Sequence, residues 1–222
     1  MATLTMAGTD IDLRDRVQRQ LEFDPEVEEA NIAVSVSEGV ATLAGFARSY
    51  AAKLAAEKAA KRVYGVRAIA NDIEVKLLIE RTDPDIALDA ANALQNRLGV
   101  GNHVQVTVRN GFVILEGTVE WYFQRRDAES AVKYLRGVRG VQNNVQIRPA
   151  FRASEAIVTH AIEEALKRTA ETDAKRVHVS VKDGTVTLTG TVRSWMERDE
   201  AERAASRTQG VTKVENQIGI KF

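Results

Sequence analysis

The chain has 222 residues, with 31 basic and 31 acidic side chains, 44% hydrophobic residues and no cysteine. The balanced charge removes the overall positive field that holds nucleic acid by counterion release, so we expect no nucleic-acid partner. The lack of cysteine excludes disulfides, thiolate catalysis and cysteine zinc sites, and without a run of about 18 apolar residues we expect no transmembrane segment.

Residues 1–9 are interpreted as an N-terminal tail. They have neither the basic start, the apolar run nor the cleavage site of a secretory signal peptide. The expected location is therefore cytoplasmic, and periplasmic only if the natural N-terminus differs.

The first predicted element after the tail is a helix. Leu13, Val17 and Leu21 recur every fourth residue, which predicts an amphipathic helix that Pro25 ends. The same element begins again at Asp83, which we expect to cap the helix because a proline follows it.

Two strands come next. Apolar residues alternate over 32–36 and again over 41–43, which predicts strands that each bury one face. The turn at 38–39 is a weaker version of the Asn-Gly and Asp-Gly turns at 110–111 and 183–184. Those two dipeptides favour a two-residue type I′ hairpin turn, since both positions need positive φ.

A second helix and a last strand complete the unit. The alanine-rich stretch from 51 to 63 predicts the helix, and Gly65 can take the left-handed φ that ends it. Ile69, Ile73 and Val75 predict the strand. Because strand, helix, strand implies a right-handed crossover, the last strand should pair in parallel with the second.

This unit occurs three times. The segments 38–45, 110–117 and 183–190 align at spacings of 72 and then 73 residues. Further positions in register are Gly65, Gly137 and Gly210; Asn71, Asn143 and Asn216; and the aromatic residues Tyr50, Tyr122 and Trp195.

We therefore divide the chain into module 1 (10–78), module 2 (79–150) and module 3 (151–222). The predicted fold class is α+β, with three repeated α-β-β-α-β modules. Each module should hold a mixed three-stranded sheet with two helices on one face.

The module resembles the BON domain. The resemblance rests on the hairpin GVATLAG at 39–45, an alanine-rich helix ending in Gly-Val at 65–66, and a closing strand such as VENQIGI at 214–220. It implies a non-enzymatic module of the kind found in osmotic-stress-induced envelope proteins, secretins, haemolysins and some channels. Such modules contact phospholipid membranes or partner proteins.

Module 2 departs from its sister copies in ways that indicate an interaction surface. Its second strand has apolar residues at the alternate positions that are predicted to face away from the core. Aromatic residues that the sister copies lack at these positions follow this strand, together with basic residues. The candidate surface consists of Phe112, Ile114, Trp121, Phe123, Arg125 and Arg126. Aromatic side chains beside arginines suit a membrane or protein contact, but the same residues could instead pack against a neighbouring module.

No pattern in the chain predicts an active site. His103, His160 and His178 occupy unrelated positions and form no metal or acid-base motif. The repeated glycines are interpreted as turn and close-packing residues, and the repeated asparagines as buried amides that hydrogen-bond to the backbone. We expect no enzyme activity, no catalytic residue, no cofactor and no metal site.

Two functional hypotheses follow. The leading hypothesis is a non-catalytic binding protein, resembling BON-domain osmotic-stress proteins, that contacts phospholipid membranes or partner proteins. The alternative is a cytoplasmic stress sensor that binds a small solute or a cation.

Overall fold

The computed structural model describes residues 2–27, 31–77, 80–97, 99–150, 153–168 and 176–221. The helices in these ranges are α1 (Ala2–Phe23), α2 (Tyr50–Lys61), α3 (Asp83–Gln95), α4 (Tyr122–Val132), α5 (Glu155–Arg168) and α6 (Trp195–Ser206). The strands of modules 1 and 2 are β1 (Asn31–Ser37), β2 (Val40–Ala47), β3 (Ala68–Val75), β4 (Val104–Arg109), β5 (Phe112–Val119), β6 (Gly140–Asn143) and β7 (Gln146–Ile147). Those of module 3 are β8 (Val177–Lys182), β9 (Thr185–Val192), β10 (Lys213–Asn216) and β11 (Gly219–Ile220). No helix in the described ranges is both long and apolar enough to cross a membrane.

Each module holds one mixed sheet, which confirms the α+β prediction. The first strand pairs antiparallel with the second, and the second pairs in parallel with the last. In module 1 the last strand is continuous. In modules 2 and 3 it is interrupted, so β7 and β11 return to the same neighbours, β5 and β9, after a short break.

The hairpin turns have the predicted backbone conformation. Asn110 and Gly111 have φ values of 52° and 79°, and Glu38 and Gly39 have values of 52° and 77°. The Glu38 turn therefore adopts the same form although glutamate favours it less than asparagine or aspartate.

A glycine near the end of each second strand fits where a side chain could not. Gly117 has a φ of 140°, and a Cβ added there would lie 2.0 Å from the carbonyl oxygen of His103. Gly45 and Gly190 meet the equivalent carbonyl oxygens at the same distance. The structural interpretation of these glycines is thus confirmed.

Every module has its own hydrophobic core, formed between its two helices and one face of its sheet. Leu43, Leu115 and Leu188 are fully buried at the same place in the three second strands. Both helices of each module contribute buried residues to the same cluster as the inward side chains of the strands, so they cover one face of the sheet and leave the other face uncovered by their own module.

One boundary differs from the sequence analysis, and two predicted boundaries are not tested. Residues 2–9, interpreted as a tail, belong to α1, because extending an existing helix costs less than nucleating one and no proline interrupts this stretch. The module boundary at 78–79 lies outside the described residues, as does residue 151, where module 3 was taken to begin.

Asp83 does not cap α3. Thr82 is the N-cap, and its side chain accepts a hydrogen bond from the Asp85 backbone N–H. The Asp83 carboxylate instead accepts the backbone N–H groups of Asn110 and Gly111, at 2.7 and 2.9 Å. A carboxylate at the start of the first helix therefore holds the hairpin turn, because a tight turn leaves its N–H groups without partners in the sheet.

Candidate functional site

Phe112 and Ile114 lie on the uncovered face of the module 2 sheet. Phe112 is 53% exposed and Ile114 is half-buried. The Phe112 ring covers Gly140 of the neighbouring strand, where an added Cβ would meet ring carbons at 2.9 Å. Arg109 is the cross-strand partner of Phe112, so a cation stands beside this apolar surface.

Trp121 and Phe123 lie at the other end of β5, where the chain enters α4. Both side chains are half-buried, and their ring centroids are 5.9 Å apart with planes tilted by 51°. The structure therefore brings Trp121 and Phe123 together but separates them from Phe112 and Ile114 by the length of the strand.

The two arginines have different partners. The Arg125 guanidinium donates a hydrogen bond to the Asn143 carbonyl oxygen at 2.9 Å, within module 2. Arg126 forms an ion pair with Glu202 of module 3 at 3.5 Å. Trp121 and Arg126 thus lie at the junction between modules 2 and 3, whereas Phe112 and Ile114 face outward.

The sequence analysis considered Trp121 and Arg126 as contacts between modules but did not recognise the aromatic residues that recur in register as such contacts. Tyr50 of module 1 packs against the core of module 2, and Tyr122 of module 2 packs against the core of module 3. Trp195 of module 3 donates its indole N–H to the Val66 carbonyl oxygen of module 1 at 2.9 Å. Their recurrence in register was visible in the sequence, but a repeat spacing does not reveal which surface a side chain meets.

These contacts close the three modules into a cycle. Each module uses the same position, at the start of its second helix, to contact the next module, and the third contacts the first. Three modules that are joined head to tail by equivalent contacts, with the third contacting the first, form a ring with approximate threefold symmetry. Helices α4 and α6 contact each other directly within it.

The junction of modules 3 and 1 also contains a cation. The Lys61 ammonium lies 5.1 Å from the centroid of the Trp195 ring, and the guanidinium of Arg198 lies at the same distance. Such contacts attract a cation to the electron-rich ring face. Unlike the other two junctions, this one joins modules that are not consecutive in the chain.

Burial and nearby carboxylates affect the two tyrosines of the cycle. Burial raises the pKa of Tyr50, and Glu129 and Glu57 raise it further. Burial likewise raises the pKa of Tyr122, with Glu202 adding to the increase. Both hydroxyls therefore hold their protons more tightly than a tyrosine in water.

Each module carries an asparagine that hydrogen-bonds to its second helix and last strand. The Asn143 side-chain amide donates to the Arg125 carbonyl at 2.8 Å and to the Glu129 carboxylate at 3.3 Å. Its side-chain oxygen accepts the Val145 backbone N–H at 3.3 Å. The contacts of Asn71 and Asn216 to their own glutamates and strands confirm the predicted hydrogen bonding, although all three asparagines are half-buried rather than buried.

Glu57 of module 1 belongs to one of these networks. Burial alone would raise the pKa of Glu57, but hydrogen bonds from Lys61 and Asn71 outweigh it and lower the pKa. The Lys61 ammonium lies 2.8 Å from this carboxylate. Lys61 therefore links the glutamate network of module 1 to Trp195 of module 3.

In the described part of the chain, no group of three or more His, Asp or Glu side chains could hold a metal ion. The features that recur in all three modules are hydrogen-bond networks and contacts between modules. The residues that differ between modules are those of the uncovered sheet face and of the module 2–3 junction.

The sequence pattern of the BON domain matches three stretches, 9–76, 82–149 and 154–221. The chain is 30% identical over 140 residues to the osmotically-inducible protein Y of Escherichia coli (strain K12), covering 60% of this chain and 70% of that protein.

Two solved structures of CdsD, a structural protein of the type III secretion system of Chlamydia trachomatis, also align with the chain. The C-terminal domain of CdsD has a TM-score of 0.27 at 15% identity, with 96% of this chain and 98% of that chain covered. The second structure has a TM-score of 0.27 at 16% identity, with 95% and 92% covered.

Proposed function

The chain belongs to the BON domain family, and from this premise we propose that it is a non-catalytic binding protein of the osmotic-stress response that contacts an anionic phospholipid surface. A partner protein is the alternative target. The stress association rests on similarity to an osmotically inducible relative.

The observation that carries the proposal is the uncovered sheet face of module 2. Phe112 is 53% exposed, and Ile114 lies beside it on the same strand. Module 3 has Thr185 and Thr187 at the equivalent positions, so the fold itself does not require apolar residues there. Phe112 also packs over Gly140, but a contiguous apolar patch left exposed on a folded domain is typical of an interaction surface.

Basic residues beside this face favour an anionic surface. Arg109 is the cross-strand partner of Phe112, and Arg139 precedes Gly140, the partner of Phe112 on the other side. The apolar side chains would enter the headgroup region of a bilayer, and the neighbouring cations would contact lipid phosphates. Both contacts would support binding to anionic bilayers at low ionic strength.

The test is co-sedimentation with anionic and with neutral vesicles. The variant Phe112→Thr with Ile114→Thr copies the threonines of module 3 and should fold normally. We expect it to lose binding to anionic vesicles, whereas the matched Val40→Thr variant of module 1 should bind like the wild type.

Wild-type protein that does not bind anionic vesicles at low salt would rule out the lipid target. A pull-down from stressed cells with wild type and with the double-threonine variant then tests a partner protein. Equal capture of every protein by both would contradict the role of this face.

A further inference from the structure

A groove of about 540 Å³ lies at the junction of modules 2 and 3. It runs between the start of α4 and the facing sides of α5 and α6. Its lining includes Trp121, Arg168, Glu200, Arg203, Arg207 and alanines of α5 and α6. The groove is shallow and open to solvent.

The groove is lined by both apolar and basic side chains. Trp121 forms one wall, and alanines from α5 and α6 contribute small side chains. Arg168, Arg203 and Arg207 are exposed at its edge. Arg203 pairs with Glu200 at 2.6 Å, but no described carboxylate forms an ion pair with Arg168 or Arg207. Glu164 partly offsets the charge of Arg168 and Glu200 that of Arg203, so the rim that the three arginines form keeps a net positive charge.

Trp121 occupies a position where both sister modules have a capping serine. Ser49 and Ser194 accept backbone N–H groups of α2 and α6 with their side chains. Trp121 provides no such side-chain cap to α4, and Gln124 accepts the Trp121 backbone N–H instead. Module 2 thus lacks a stabilising side-chain cap at the start of α4 and has a tryptophan that lines the groove instead. Residues that are unfavourable for local structure are typical of functional positions.

The module 1–2 junction lacks this basic rim, whereas the module 3–1 junction has Lys58 and Arg62 at the positions equivalent to Arg203 and Arg207. The positions equivalent to Arg168, Arg203 and Arg207 at the module 1–2 junction are Asn96, Ser130 and Tyr134. Cations near helix C-termini are favoured by the helix dipole, which could explain each arginine singly. It does not explain why they coincide with the tryptophan.

We propose that this groove binds a small organic anion that has an apolar body, such as a single-chain amphiphile with a phosphate or carboxylate head. The arginines of the rim bind the head through charge-assisted hydrogen bonds, and Trp121 with the alanines contacts the body. This site is separate from the sheet face that carries Phe112.

The probe is decyl phosphate below its critical micelle concentration, titrated into the full chain by calorimetry. We expect saturable binding to the wild type and at least tenfold weaker binding to the variant Arg168→Gln with Arg207→Gln. The matched control, Lys58→Gln with Arg136→Gln, removes the same charge from exposed positions outside the groove and should bind like the wild type.

The variant Trp121→Ser separates a ligand contact from a packing contact. It restores the serine of the sister modules, so we expect an unchanged or higher melting temperature together with a loss of decyl phosphate binding. A lower melting temperature with unchanged binding would assign Trp121 to module packing and overturn the proposal.

Three further outcomes would also overturn it. These are no saturable binding of decyl phosphate, equal affinity for inorganic phosphate, and binding that the Arg168→Gln, Arg207→Gln variant retains. The Phe112→Thr, Ile114→Thr variant should keep full affinity for decyl phosphate, so failure of the sheet-face proposal and failure of this one are distinguishable.

Discussion

At the scale of single residues, three glycines and three asparagines recur because each module repeats their surroundings. Each glycine lies against a backbone carbonyl oxygen, and each asparagine hydrogen-bonds to a glutamate carboxylate. Gly45, Gly117 and Gly190 each face a carbonyl oxygen of the preceding strand segment, where a methyl group has no room. Their positive φ adds a backbone requirement to the steric one.

We expect Gly117→Ala to destabilise the protein by about 3 kcal/mol or more, because the new Cβ would overlap the His103 carbonyl oxygen. Gly219→Ala is the matched control in a strand of module 3. Its nearest neighbouring atom lies 3.8 Å from the added Cβ, and it should change stability by about 0.5 kcal/mol or less. Urea denaturation followed by circular dichroism measures both, and equal midpoints would contradict the steric argument.

Stability should fall at alkaline pH because of Tyr50 and Tyr122. Their folded pKa values lie above the ordinary value of 10.0, so the folded state binds the proton more tightly than the unfolded chain. Their contribution is complete below pH 10 and is lost as the pH rises through the raised folded pKa.

Melting temperatures measured between pH 8 and 11 test this expectation. The double variant Tyr50→Phe with Tyr122→Phe should lose less stability above pH 10 than the wild type. The exposed Tyr134→Phe variant should follow the wild-type curve. A double variant that also follows it would show that the two phenols do not cause the alkaline loss.

At the scale of secondary-structure elements, the sequence predicted most of what the structure contains. The alternation of Val104, Val106 and Val108 and the Asn110-Gly111 turn are local signals, and each has one dominant physical interpretation. The failed prediction for Asp83 concerns competition between partners. Asp83 could cap α3 or hold the hairpin turn, and only the folded chain brings the turn within its reach.

The interruption of the last strand in modules 2 and 3 coincides with the asparagine network. Asn143 uses its side chain to bind the Val145 N–H, the Arg125 carbonyl and Glu129, so it links α4 to the break between β6 and β7. An apolar residue at this position would remove the donor that the Arg125 carbonyl and the Glu129 carboxylate share.

We expect Asn143→Asp to cost about 2 to 4 kcal/mol, because it replaces an amide donor with a second carboxylate near Glu129. Asn144→Asp, at the exposed neighbouring position, should be close to neutral. Denaturation at pH 7 and pH 4 measures both. The loss in Asn143→Asp should shrink at the lower pH as the carboxylates are protonated, and a constant loss would argue against charge repulsion.

At the scale of the whole molecule, the cycle of contacts depends on one junction that no linker bridges. Trp195 meets Val66 across 129 positions of the chain. No local pattern predicts a partner that distant, which is why the aromatic trio was recognised in the sequence while its role was not. The same reason prevented prediction of the groove beside Trp121, whose lining comes from two modules.

Trp195→Ala should weaken the junction by about 2 kcal/mol, because a half-buried aromatic surface and its hydrogen bond are lost. Trp195→Phe keeps the ring and loses only the N–H donor, so about 1 kcal/mol is expected. Denaturation gives the stability, and small-angle scattering should show a larger radius of gyration for the alanine variant.

The control is Met196→Ala, whose side chain is 65% exposed next to Trp195. If Trp195→Ala matched this control in both stability and radius, the module 3–1 junction would contribute nothing to holding the cycle closed.

Because the cycle is closed by a junction without a linker, the same fold could be formed by a chain that begins at a different module. The segment 76–82 joins β3 to α3, and a linker of equal length between Ile220 and Asp10 would cover the equivalent gap. A circular permutant that begins at Thr82 and carries this linker should therefore fold into the same cycle. In it, the Trp195 junction becomes covalently bridged and the Tyr50 junction becomes the unlinked one, so sensitivity to mutation should move from Trp195 to Tyr50.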